Sequence, residues 1–334
     1  MNKEMRNTKI KNSFSISALF LGIAIVYIIL LFPMAKESNE NEIVNNKSTE
    51  LVEEVSKKIE DIEEKYKCIK IVDGFNKSEV KGIDSLKRSS YAYDVLIDYE
   101  KESKAINEIK IILNRLPVGM LLEALEWGGD RYREENQDII NFVENYSDKY
   151  EEIRIVLCSN IGRKNGNIEY GYYSGGVTFV DGDIVYICIN TKRIGNIQRI
   201  FAHELYHYFH HRIENQLYTG EVYTMKDWNE ELPTNYEYSG DDLDEINMPY
   251  SIYTAKDINN VYFVSGYAQK SINEDKAEMF SYLLAKGKYG SLPLAYKSPH
   301  IKKRTKMIID ELDKYFDTVD ENAYWNIVYE EKVK

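Results

Sequence analysis

Residues 201–211 read FAHELYHYFHH and hold four of the chain's five histidines. Each imidazole carries two ring nitrogens that need partners when buried, so an ordinary core helix has little use for such a cluster. His203 and His207 are four positions apart, and on a helix their rings project from one face, about one turn from each other. The neighbours Ile197, Ile200, Phe201, Ala202, Leu205, Tyr208 and Phe209 leave no broad charged face. A buried helix is therefore predicted, N-capped by Thr191 or Asn196 and running to about Arg212.

Two imidazoles at this spacing can bind one zinc ion, with Glu204 between them as the base that takes a proton from the metal's water. Zinc would bring that water's pKa from about 15.7 toward 7 and so provide hydroxide at neutral pH. Two imidazoles, one carboxylate and an open position suit zinc, although cobalt and manganese are not excluded by the ligand set. A catalytic zinc needs a third protein ligand. His210 and His211 continue the same helix and cannot turn back to the metal. The candidates lie in SGYAQKSINEDKAEMF (265–280), where Glu274 and Glu278 are four apart on a predicted helix. One of the two can ligate while the other accepts a hydrogen bond from a histidine's second nitrogen.

Upstream of the histidines the pattern is that of strands. EEIRIVLC (151–158) and GGVTFVDGDIVYICIN (175–190) are short, β-branched and aromatic, with Asp181-Gly182 as a hairpin signal. Helices are predicted before them at about 88–114 and 117–127, broken at Pro117 and stopped at Gly128-Gly129, and again at 137–149. Residues 214–260, rich in Tyr, Asn, Asp and Gly, read as a long ordered insertion, and helical pattern returns at 273–287 and 301–317.

At the N-terminus, residues 13–35 carry no charge and as a helix would span roughly 35 Å, enough to cross a bilayer core. The preceding flank holds Lys3, Arg6, Lys9 and Lys11, which the positive-inside rule keeps in the cytoplasm. An uncleaved anchor is favoured over a signal peptide, because Pro33-Met34-Ala35 is a poor cleavage site. The expected organisation is a cytoplasmic basic tail (1–12), a transmembrane anchor (13–35), a linker and stalk helix (36–85) and a catalytic domain (86–334). The stalk helix, capped by Ser48 or Thr49, carries Leu51, Val55, Ile59 and Ile62 at helical spacing and reads as a solvated surface helix. The chain would thus lie in the cell membrane with its C-terminal domain outside, or be secreted if cleaved.

Composition excludes other classes. The 334 residues are 43% hydrophobic with 6 prolines, which argues against long disordered tracts. A formal net charge of -12 and no basic stripe argue against a nucleic-acid partner. Cys68, Cys158 and Cys188 are too few for a disulfide framework and lack metal-binding spacing, leaving open one bridge between Cys158 and Cys188.

HELYH, a downstream tyrosine and, seven residues after it, the first glutamate of an ExxxE pair resemble the gluzincin metallopeptidases of the anthrax lethal factor and Pro-Pro endopeptidase type, over roughly 150–290. The resemblance implies one catalytic zinc on His203, His207 and Glu274, Glu204 as general base, Tyr267 as the phenol that polarises the scissile carbonyl, and Glu278 behind a ligand. It also implies an α+β, zincin-like metallopeptidase domain with a small mixed sheet, an active-site helix and a mainly helical C-terminal subdomain. In that architecture Gly176, Val177 and Thr178 begin an edge strand that pairs with an extended polypeptide substrate, and Gly175-Gly176 allow close backbone approach. Two features depart from the type. The 66 residues between His207 and Glu274 make a longer gap, giving WNEELPTNYEYSG (228–240) a part in shaping the cleft, and Glu274 is followed directly by a second carboxylate, Asp275. The expectation is a membrane-anchored zinc endopeptidase; the alternatives are a zinc amidase acting on cell-wall peptides and a binding ectodomain without turnover.

Overall fold

Two β-branched runs with period-2 alternation (152–158 and 184–190) pair in parallel at the centre of one mixed sheet, and the histidine helix packs on its face. In a computed structural model of the chain the described residues are 34–72, 91–95, 98–126, 150–165, 169–173, 175–181, 183–217, 225–240, 250–285 and 296–333. In chain order they form α1 (Met34–Lys65), β1 (Ile69–Val72), β2 (Tyr91–Val95), α2 (Tyr99–Leu113), α3 (Met120–Leu125), β3 (Glu152–Asn165), β4 (Glu169–Tyr173), β5 (Gly176–Asp181), β6 (Ile184–Asn190), α4 (Ile197–Leu217), α5 (Met225–Glu230), α6 (Ile272–Leu284), α7 (Pro299–Tyr315) and α8 (Tyr324–Val328). Beyond β6 every described regular element is helical, apart from one isolated bridge between Ser251 and Phe263.

The sheet is organised around β3. Its first half pairs in parallel with β1 (Ile69 opposite Ile153) and β6 (Glu152 opposite Ile184), and its second half is antiparallel to β2 and β4. β5 folds back antiparallel on β6, with Asp181 opposite Ile184, which is the hairpin predicted at Asp181-Gly182. Among the described strands β5 therefore lies at the edge. Alternation sends Ile153, Ile155, Leu157, Val185, Ile187 and Ile189 to the face that carries α4. Val156, Cys158, Tyr186 and Cys188 point to a second, smaller core with Val177 and Phe179. All three cysteines are buried free thiols, so no bridge joins Cys158 and Cys188.

Several boundaries differ from those read in the sequence. The predicted helix 88–114 begins only at Tyr99, where Asp98 caps it by accepting from the Lys101 N–H at 3.2 Å. The stretch Tyr91–Val95 is instead a strand, because its aromatic and β-branched residues find a partner in β3, which no local pattern could reveal. Pro117 does break the chain as expected, and α3 starts after Gly119 in a left-handed turn at φ 101°, where a Cβ would lie 2.8 Å from Thr318 Cγ2. The histidine helix extends past Arg212 to Leu217, and the insertion contains α5.

Residues 1–53 and 54–334 are two compact units. The described part of the first, residues 34–53, is helical, so the polar segment read as a linker continues α1 and no cap is needed at Ser48 or Thr49. In the second unit, α1 is part of the fold rather than a solvated stalk. Val55 and Ile62 are 2% and 1% exposed in the main core, Lys58 Nζ reaches Ser103 Oγ at 2.7 Å, and just past the helix Tyr66 donates to the Leu113 carbonyl at 2.9 Å. The unit thus begins about thirty residues before the expected boundary at 86, since a stripe of isolated apolar residues can bury against a neighbouring helix. Apart from Met34 and Ala35, the predicted anchor at 13–35 lies outside the described residues, as do 137–149 and Gly128-Gly129. Among the described residues no helix is long and apolar enough to cross a membrane. Because Ile62 is buried, Ile62→Ala is expected to lower stability by about 2–5 kcal/mol, against less than about 0.5 kcal/mol for exposed Glu60→Ala; urea titration of the full chain distinguishes a core helix from a stalk.

Candidate metal centre

α4 has no glycine or proline between Ile197 and Leu217 and follows directly on a 3-10 turn at Thr191–Asn196. Thr191 fastens that turn to the sheet by donating to the Cys158 carbonyl at 2.9 Å. Ile197, Phe201, Ala202, Leu205, Tyr206, Phe209 and Ile213 are all buried, as the lack of a charged face predicted. His203 is buried, whereas the His207 side chain retains 24% exposure, so the imidazole pair opens to solvent on one side. His210 is buried against Tyr206, with ring centroids 5.7 Å apart, and is no part of the site.

α6 brings the carboxylates. Ser271 is its N-cap, accepting from the Glu274 N–H at 3.2 Å, and the S-x-x-E sequence is that of a capping box. In such a box the glutamate side chain turns back to the cap, but here it reaches across to α4. Glu274 Oε2 lies 2.9 Å from His203 Nε2 and 3.4 Å from His207 Nε2, and the two nitrogens are 3.0 Å apart. A tetrahedral zinc with bonds of about 2.1 Å separates its ligands by roughly 3.4 Å, so this triangle fits the ion after opening by a few tenths of an ångström. The three side chains are also the one His/Cys/Asp/Glu group among the described residues whose ligand atoms converge in this way. Asp275, the competing carboxylate, faces away from the histidines. It is fully buried, paired with Arg304 and hydrogen-bonded to Tyr238 at 3.0 Å and Trp228 at 3.3 Å.

Glu278 sits one turn further along α6 and accepts from or shares a proton with His203 Nδ1 at 3.1 Å. Its other oxygen receives Arg199 Nη2 and Ser265 Oγ, each at 2.6 Å. Arg199 also donates to Tyr282 at 3.2 Å. Ser265 additionally holds the turn before α6, accepting from the Ala268 N–H at 3.1 Å. Tyr267, on that turn, donates to Glu274 Oε1 at 3.1 Å. The sequence singled out Glu278 and Tyr267 but not Arg199 or Ser265. Arg199 stands one turn before His203 on the same helix face, which is the signal that could have found it.

The electrostatics follow from this packing. Burial opposes charge on His203, yet the Glu274 and Glu278 carboxylates outweigh it and hold the imidazole's pKa up to about 10. Zinc entering the triangle would compete with a proton for that ring. Glu274 and Glu278 are burdened by burial, but the histidines and, for Glu278, Arg199 keep both well below the usual carboxylate range. Burial pushes Glu204 up, partly offset by His203, His207 and Thr178. Burial and the nearby carboxylates push the Tyr267 phenol up, so it stays un-ionised and able to donate. Thr178 Oγ1 on β5 lies 2.8 Å from Glu204 Oε2, bringing the base against the expected substrate strand.

No family model matches the chain, and no curated protein matches it. Among solved structures it is similar to a provisionally assigned zinc-binding metallo-peptidase from Bacteroides caccae, at 14% identity and a TM-score of 0.42, over 85% of this chain and 93% of that one. So distant a likeness carries no argument, and the site stands on its own geometry. Because Glu278 orients His203, Glu278→Gln is expected to weaken zinc binding by about 10–100-fold, measured by competition against a chromophoric chelator.

Proposed function

We propose that this chain is a zinc-dependent endopeptidase of the HExxH-plus-glutamate kind, anchored in a membrane with its catalytic unit outside the cytoplasm. The observation that carries the catalytic reading is the triangle of His203 Nε2, His207 Nε2 and Glu274 Oε2, with edges of 2.9 to 3.4 Å, on the helix that also bears the buried Glu204.

When bound, zinc supplies Lewis acidity for a carbonyl and acidifies a water molecule. Glu204 takes the proton as the water oxygen adds to the scissile carbonyl carbon. It returns that proton to the amide nitrogen as the C–N bond breaks, leaving an amine and a carboxylic acid, whose own proton then passes to the amine or to solvent. Burial, which raises the proton affinity of the Glu204 carboxylate, favours its taking up the proton. Tyr267, whose hydroxyl donates to Glu274 in this structure, would turn that proton to the developing oxyanion. β5, the edge strand among the described ones, would offer main-chain groups to an extended peptide. Trp228 and Tyr238, docked on Asp275, tie the insertion to α6.

The deciding comparison is the purified full-length protein beside Glu204→Gln, assayed for zinc by elemental analysis and for cleavage of an unstructured peptide library. One zinc in each, with turnover lower by about 10²–10⁴-fold in the variant, is the expected outcome. A wild type that takes up no zinc sinks the reading, and one that holds zinc but cuts no peptide moves it to a non-protein amide or a binding role.

The anchor rests on the uncharged stretch 13–35 behind its basic flank. It predicts that the chain stays with membranes through carbonate extraction and is accessible to protease from outside; release into the soluble fraction would refute it.

A further inference from the structure

Thr178 and Gly176 stand on the same face of β5, alternating with Val177 and Phe179, which join the other core. Both meet the side chain of Glu204. Thr178 Oγ1 lies 2.9 Å from the Glu204 main-chain oxygen and 2.8 Å from its Oε2. Two residues back, a Cβ added at Gly176 would fall 2.6 Å from Glu204 Cγ and 2.7 Å from Oε1, so only glycine leaves the carboxylate its place. The side chain is thus gripped on two sides, one oxygen by a hydroxyl and the other against bare backbone.

We propose that Thr178 is a positioning residue for Glu204, fixing the rotation of its carboxylate through Oε2 while Gly176 provides the recess for Oε1. The proposal rests on the peptidase reading and adds a role for the strand beyond binding substrate. A glutamate's terminal torsion is broad and roughly two-fold, so burial alone does not select an orientation. Among the described residues, Thr178 has the one hydroxyl that donates to this carboxylate. A hydroxyl has a single proton, so Thr178 donates either to the Glu204 carboxylate or to the helix backbone at a given moment. The edge strand that receives the peptide therefore also aims the base, and strand and helix have to keep their register for turnover.

The test uses the full-length protein with Thr178→Val, which keeps shape but loses the hydroxyl, and Thr178→Ser, which keeps the hydroxyl. Zinc content, kcat and KM on one peptide, and the crystal structure of the zinc-loaded valine variant are measured beside wild type and Glu204→Gln. Expected for Thr178→Val are unchanged zinc, KM within about twofold, kcat lower by about 10–100-fold and a rotated Glu204 carboxylate, with Thr178→Ser restoring kcat to within about threefold. A kcat within about twofold of wild type, a loss that serine fails to recover, or an unmoved Glu204 overturns the proposal. Should the valine variant not fold, Thr178→Ala decides on the same criteria. An active wild type with an indifferent Thr178→Val rejects this role alone, whereas zinc without cleavage in the wild type rejects the peptidase reading and the role with it.

Discussion

Between α4 and α6, the buried imidazole of His203 is held at 2.9 Å by Glu274 and at 3.1 Å by Glu278, and the rest of the site is arranged around that contact. Taking charged groups out of water is costly unless they are paired and hydrogen-bonded. Here each is: His203 between the carboxylates, Glu278 under Arg199 and Ser265, Glu274 under Tyr267. The two helices cannot slide past each other without orphaning several of these groups at once. That constraint, with Phe280 packed against Tyr206 and Phe209, sets the position of α6 on α4.

The first turn of α6 shows how closely local and tertiary demands can compete. A glutamate three residues after a serine cap would ordinarily close a capping box. In this chain Ser271 keeps its half of the box and Glu274 abandons the other, because two imidazoles across the gap are better partners than one backbone N–H. Asp275, the next residue, points about 100° around the helix and meets Arg304, Trp228 and Tyr238 instead. One helical turn therefore supplies a carboxylate to the histidine pair and an anchor to the insertion.

Legibility followed the reach of each interaction. The histidine helix and α6 could be read because their apolar and functional residues repeat with the helical period, and β5 with β6 because a turn signal joins two alternating runs. The strand Tyr91–Val95 was hidden by the helix that follows it, since five residues carry little periodicity and its partner lies far along the chain. Val55 and Ile62 were read as a solvated stripe because the core they join is built by residues far along the chain. Arg199, Ser265 and Thr178 are individually ordinary residues, and what distinguishes them is the oxygen atom each one meets.

By itself the sequence determined the pairing within each helix: His203 with His207 and Glu274 with Glu278 share a face because backbone geometry alone sets the 3.6-residue period. Tertiary structure decided which of two adjacent carboxylates faces the histidines, which residues orient them, and that Glu204 lies against β5. Those contacts join residues 26 to 79 positions apart. They depend on the register in which strands and helices pack, and that register minimises buried unpaired charge and empty space over the whole unit rather than over any local stretch.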